Sequence, residues 1–210
     1  NTQPAILIVS YSIYKVIKDE FGFDFNSFKN FAGHSLGEYS ALVCSGALSF
    51  DDALYLLHER GKAMQDAVPV GKGAMIAVLG MKTAEIIDLL KKRNNEKGVC
   101  EIANDNADGQ VIVSGNKESI DTFQNILKEK RVKSIPLKVS APFHCSLMKP
   151  AAASMKDKIF SIQFDKPFLS IVNNVTAKSE NDPEVIKKLL VDQIFSTVKW
   201  RESLIEMNKA

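Results

Sequence analysis

The chain has 210 residues, 45% hydrophobic and 25% charged, with a formal net charge of +2. Those proportions belong to a globular protein with ample core, in one large domain or two small ones. So small a net charge gives no footing for a nucleic-acid binder, and no apolar run approaches the length of a membrane span.

Basic residues nevertheless cluster at Lys91, Lys92 and Arg93, and again at Lys128, Lys130, Arg131 and Lys133. Such clusters are either solvated faces or a surface for an acidic partner. Cys44, Cys100 and Cys145 show neither C-x-x-C nor zinc-ligand spacing, so no metal is expected. Sparse cysteines without a visible signal peptide fit a reducing compartment, here the cytoplasm.

NTQPAILIVSYSIYKVI opens inside an amphipathic helix without an initiator Met, as a fragment would. FGFDFNSFKN reads as a loop into a short strand ending at Phe31 and Ala32. A tight GHSLG turn follows, then a helix to about Val43, stopped near Gly46. A second helix starts at Ser49 and ends before Pro69. Residues 72–138 change character: GAMIAVLG, VCEIAN, QVIVSG and VKSIPL read as strands, with TAEIIDLLKKR and ESIDTFQNILKEK as helices. The order β-α-β-β-α-β is the ferredoxin-like pattern. Beyond it VSAPFH is extended, LMKPAAASMKDKIFS helical, FLSIVNNV a strand, and PEVIKKLLVDQIF a helix opened by Pro183; a last helix begins near Trp200. The expected architecture is α/β. A larger α/β-hydrolase-like domain with a parallel sheet (residues 1–70 and 139–210) carries an inserted ferredoxin-like subdomain (71–138).

FAGHSLGEYSAL admits two readings of Ser35. Gly33, Ser35 and Gly37 make a G-x-S-x-G, the pattern of a nucleophile on a sharp strand-to-helix turn. Ser35 and Glu38 equally make an S-x-x-E capping box. A serine nucleophile needs a base, and there are three histidines. His34 would have to fold back on its own turn, and His58 sits in a helix as a surface residue. His144, at the end of an extended segment and before a helix, is placed where catalytic residues collect in α/β proteins, although a structural loop histidine fits as well. On the helix carrying Ala53, Leu57, Met64 and Val68, Arg60 lies at the shoulder of the apolar face, about 60° from Leu57. It is either a snorkelling side chain or a cation at the edge of a pocket, suited to a bidentate bond with a carboxylate.

Taken together, GHSLGEYSAL, ANDNADGQVIVSG, SAPFHCSLMKPAA, FLSIVNN and VDQIFSTVKW closely resemble the malonyl-CoA:acyl carrier protein transacylase family of bacterial type II fatty acid synthesis. The resemblance runs in order over essentially the whole chain, including the inserted subdomain. It implies Ser35 as the acyl-accepting serine, His144 as its base, and Arg60 as the ligand of the free malonyl carboxylate. It also implies Gln193 as the residue whose carbonyl orients the histidine, and the Leu36 N–H as an oxyanion donor. Phe143 matches the bulky residue associated with malonyl over methylmalonyl selection, and Met64 and Asn106 are expected to line the pocket. The implied partners are malonyl-CoA and phosphopantetheinylated acyl carrier protein, with no cofactor. The family's opening strand and G-Q-G loop, whose glutamine supplies a second oxyanion donor, have no counterpart here, nor do its last helices.

Two other readings remain. A serine hydrolase or thioesterase would need Ser, acid and His in chain order, and the intervening acids fall mainly in the inserted unit; Asp108 next to Gly109 is the nearest candidate for a patatin-like dyad. An inactive acyltransferase-like domain that only binds carrier protein is the third possibility.

Overall fold

The computed structural model describes residues 2–92 and 98–209, so Arg93 of the first basic cluster lies outside the described residues. Helix α1 (Thr2–Asp19) turns Leu7 and Tyr14 inward, two turns apart on one face, and leaves Ile6, Val9, Ile13 and Val16 substantially exposed on the other. Asp24 caps a short 3-10 turn by accepting from Asn26 N–H, and the chain enters β1 (Asn30–Ala32). Helices α2 (Leu36–Cys44) and α3 (Phe50–Asp66) follow; the Ser49 hydroxyl caps α3 by accepting from Asp52 N–H.

Next come β2 (Gly73–Leu79), α4 (Thr83–Lys92), β3 (Cys100–Ala107), β4 (Gln110–Asn116), α5 (Lys117–Glu129) and β5 (Lys133–Pro136). The four strands form one antiparallel sheet in the order β3-β4-β2-β5. Strand alternation divides its residues between two faces. Ile76, Val78, Val111 and Val113 pack with Ile86, Ile120, Phe123 and Leu127 of α4 and α5. On the opposite face Met75, Ala77, Ala103 and Ile112 meet Leu137 and Phe143. The second face therefore abuts the residue just before His144.

The remaining elements are α6 (Lys149–Ser161), β6 (Ser170–Val172), β7 (Ser179–Glu180), α7 (Pro183–Gln193) and α8 (Trp200–Lys209). Strand β6 pairs parallel to β1 and antiparallel to β7, so this three-stranded sheet is mixed rather than parallel as the sequence suggests. The strand expected over FLSIVNNV stops at Val172 because Asn173 folds the chain: its Oδ1 accepts from Val175 and Thr176 N–H. The largest apolar cluster joins Tyr39, Leu42, Leu56, Leu57 and Met64 to Ile159, Ile171 and Leu190.

The four-stranded sheet is tied along β3 to α8 and the segment before it. Asn104 bridges Val198 in parallel, Asp105 N–H donates to Val198 O, and Val198 N–H donates to Ala103 O. Arg201 of α8 holds Asp105 through Nε and Nη2 at 2.8–3.1 Å. Among the described residues no helix is long and apolar enough to cross a membrane.

Candidate active site

Ser35 joins β1 to α2 with φ 54° and ψ −110°, a conformation few non-glycine residues adopt. The turn is this tight because Gly33 lies against the helix it precedes: a Cβ there would sit 1.9 Å from Gly37 O and 2.0 Å from Gly37 C. Gly37 carries no such constraint, since a Cβ added to it would meet nothing within 4 Å.

The capping-box reading fails. Ser35 makes no side-chain cap bond; its Oγ lies 2.8 Å from His144 Nε2 and accepts from Arg60 Nη2 at 3.0 Å. Its backbone N–H donates not to Glu38 but to Asn174 Oδ1 at 2.7 Å. The Glu38 carboxylate is buried and accepts from Asn174 N–H and from Gln193 Nε2. Burial pushes this acid up to about 7, against the opposing pull of the Gln193 and Asn174 hydrogen bonds and the Arg60 charge.

His144 also has a positive φ of 57° and is 5% exposed. Its Nδ1 lies 2.9 Å from Gln193 O. A carbonyl only accepts, so Nδ1 carries the proton and Nε2 is free to take one from Ser35. Burial above all, then the neighbouring Arg60 charge, lowers His144 to about 3, with the Gln193 carbonyl opposing and His34 adding slightly. The loop bearing it is pinned from β3: both carboxylate oxygens of Glu101 accept from Ser146, one from its N–H and one from its hydroxyl. Among the described residues the third position of a Ser-acid-His triad is taken by the Gln193 carbonyl and not by a carboxylate. Asp108 and Gly109 form the β3–β4 turn, as a hairpin requires.

Arg60 does not snorkel. It is 1% exposed, packed over the Tyr39 ring at 5.8 Å, and donates to Gln3 Oε1 (2.6 Å), Ser35 Oγ (3.0 Å) and Gln193 Oε1 (2.9 Å). Among the described residues it forms no ion pair, and its Nε has no hydrogen-bond partner. A buried guanidinium held only by neutral acceptors is a site short of one anion. Gln193, at the end of α7 and fully buried, serves four residues of the site: its carbonyl meets His144, its Oε1 meets Arg60, and its Nε2 donates to Ser35 O and Glu38.

A cavity of about 730 Å³ opens over these groups, lined by Ser35, Leu36, Arg60, Met64, Phe143 and His144 among others. Leu36 N–H belongs to the first turn of α2, where a helix leaves its donors without intrahelical partners. His58 is exposed at the rim. Asn106 is placed differently from the expectation. It does not line the cavity; its Oδ1 bonds His34 Nε2 at 2.9 Å, and the His34 ring leans edge-on against Trp200. Asn106 is the unpaired residue at the irregularity between Asp105 and Ala107, so regular alternation along β3 does not set its side.

A family model described as the acyl transferase domain matches residues 1–210. The chain belongs to that family. A malonyl CoA-acyl carrier protein transacylase of Haemophilus influenzae is 44% identical over 210 residues, which is 99% of this chain and 66% of that protein. The crystal structure of an acyl-carrier-protein-S-malonyltransferase from Bartonella henselae superposes with a TM-score of 0.94 at 38% identity, covering 100% of this chain and 67% of that one. A malonyl-transacylase solved in complex with a type II polyketide acyl carrier protein superposes with a TM-score of 0.92 at 40% identity, covering 99% of this chain and 66% of that chain. The chain thus spans about two thirds of the length of these relatives.

Sequence reasoning passed over three members of this site. Glu38 was legible only as a capping residue. Asn174 carried no chemical signal, since a hydrogen-bonding amide in VNN looks like any turn residue. Gln3 lies in the opening helix, where only its neighbour Pro4 is a local marker.

Proposed function

We propose that this chain transfers a malonyl group from malonyl-CoA to the phosphopantetheine thiol of acyl carrier protein through a malonyl ester on Ser35. The observation that carries the proposal is Arg60: a buried cation without an ion pair among the described residues, 3.0 Å from the attacking oxygen. An acyl group bound as a Ser35 ester with its own free carboxylate would supply the missing anion.

In the first half-reaction His144 Nε2 takes the Ser35 proton as Oγ attacks the thioester carbon. The Leu36 N–H and the start of the α2 dipole face the developing oxyanion. The tetrahedral intermediate collapses, the C–S bond breaks, and the CoA sulfur leaves with the proton from His144. In the second half-reaction the carrier thiol gives its proton to His144 and attacks the ester; collapse breaks the C–O bond and returns the proton to Ser35. Burial first and the Arg60 charge second hold His144 down; a malonyl carboxylate beside Arg60 offsets the second, so a carboxylated substrate makes its own base stronger. Phe143 and Met64 give the cavity the apolar wall that limits branching at the malonyl carbon.

This reading carries with it a catalytic α/β-hydrolase-like domain of residues 1–70 and 139–210 with an inserted ferredoxin-like unit of 71–138. Cysteines as sparse as these three suit a reducing compartment, taken here as the cytoplasm. The test is the intact mass of the chain after brief exposure to malonyl-CoA. One malonyl adduct on the parent and none on Ser35→Ala is expected, with discharge of the adduct by holo acyl carrier protein. An adduct that reaches Ser35 and is lost to water just as fast without carrier protein would favour a thioesterase; no adduct at all would leave a binding domain.

A further inference from the structure

Two opposite charges are buried in this site without touching each other. Glu38 on α2 and Arg60 on α3 are each 1% exposed, and both are held by one neutral group, the side-chain amide of Gln193. Its Nε2 donates to Glu38 Oε2 at 2.8 Å and its Oε1 accepts from Arg60 Nη2 at 2.9 Å. The amide is therefore a spacer: it bonds to both ions and stands between them, leaving the guanidinium without a direct carboxylate partner among the described residues. The Tyr39 ring packs against Arg60 at 5.8 Å.

The geometry points to Glu38 as a positioning residue that sets how strongly Arg60 holds an acyl carboxylate, acting through the Gln193 amide. The role rests on the malonyl reading of the site. A carboxylate at Arg60 and the Glu38 carboxylate share one cation, so a charged Glu38 weakens the ligand's hold and a neutral one strengthens it. The groups facing Glu38 decide when it is charged. Arg60 from α3 is the one cation that acts on it among the described residues, while α7 and the segment after β6 bring only the amides of Gln193 and Asn174; on its own helix the neighbouring titratable group is the buried Tyr39 phenol, itself pushed up to about 12. With Glu38 titrating near 7, its charge appears between pH 6 and pH 8, and affinity for a carboxylated acyl group falls over that interval. Across one amide, at an effective dielectric of about 20, the change is roughly tenfold.

The experiment uses Ser35→Ala, which cannot be acylated, and titrates it calorimetrically with malonyl-CoA and with acetyl-CoA at pH 6 and pH 8. Acetyl-CoA carries the same phosphates and no acyl carboxylate, so the ratio of the two affinities isolates Arg60. The preference for malonyl-CoA is expected to fall roughly tenfold from pH 6 to pH 8. In Ser35→Ala/Glu38→Gln, where Gln keeps an acceptor for both Asn174 and Gln193, the preference is expected to stay at the higher value at both pH values. A preference that is the same at both pH values in Ser35→Ala overturns the role of Glu38 without any need for the second variant. Equal pH dependence in the two proteins overturns it too. No preference for malonyl-CoA at either pH sinks the carboxylate reading of Arg60, and the role of Glu38 with it.

Discussion

The two glycines of the G-x-S-x-G motif are predicted to respond oppositely to the same substitution. An alanine methyl at Gly33 would meet the Gly37 carbonyl at 1.9 and 2.0 Å, and Glu38 N at 2.7 Å, all backbone atoms of the first turn of α2. Reaching ordinary contact requires that turn to retreat by about 1.5 Å in a close-packed interior. The retreat moves Ser35 away from His144 Nε2, now 2.8 Å distant. Overpacking of this kind costs about 1–3 kcal/mol, which for a chain this size lowers Tm by roughly 3–10 °C. A displacement near 1 Å at the nucleophile costs about 100-fold in acylation rate. A methyl at Gly37 meets nothing within 4 Å and sits in helical backbone. Gly37→Ala should therefore gain about 0.5–1 kcal/mol by restricting the unfolded chain. Thermal melts and the rate of malonyl loading, measured on both variants, decide the matter. Gly33→Ala with parental Tm and loading, or Gly37→Ala as damaging as Gly33→Ala, would refute the steric account of the turn.

Arg60→Ala should lower malonyl loading by about 100-fold and leave acetyl loading little changed, read by intact mass with each thioester; equal losses for both would remove the carboxylate role. Glu38→Gln should stabilise the chain more at high pH than at low. The folded acid titrates near 7 against 4.5 unfolded, so the parent's advantage is fully present below 4.5 and is lost as pH rises to 7, on the order of 3 kcal/mol in all. Urea unfolding at pH 4.5 and 8 checks it, and parallel curves for the two proteins would contradict it. His144 contributes the opposite slope: lowered to about 3 from 6.5, it gives stability that is present above 6.5 and lost as pH falls, so His144→Gln should flatten the acid limb of the same titration. Glu101→Ala strips two acceptors from Ser146 and frees the loop carrying His144; kcat should fall several-fold with KM nearly constant, at about 1–3 kcal/mol of stability. A change confined to KM would place Glu101 outside the positioning of His144.

Where a local rule and the tertiary fold agree, the sequence was enough. Ser49 before an apolar run does cap α3, Pro183 does open α7, and the switch of periodicity near residue 72 marks the start of the four-stranded sheet. Where two local rules fit one stretch, only long-range contacts decide between them. Ser35 and Glu38 have the spacing of a capping box, yet Asn174, 139 residues away, takes the Ser35 N–H that Glu38 would have taken. Arg60 shows the same limit. Its position on the helical wheel fixes a shoulder, but whether that shoulder faces water or Gln3 and Gln193 depends on α1 and α7. Asn106 was misread because a strand residue's side depends on register, and the pairing of β3 with β4 skips Ala103 and Asn106 itself.

The hydrogen bonds that arm Ser35 reach residues 25, 109, 139 and 158 positions away. Contacts of such separation form only after large loops have closed, so they come late in folding and slow it. During refolding, helical signal should return before the capacity to accept an acyl group, and reactivity should be the last property recovered. On gentle denaturation the order reverses: a small opening at α7 or at the loop after β6 disarms the serine while most of the helix content is still intact.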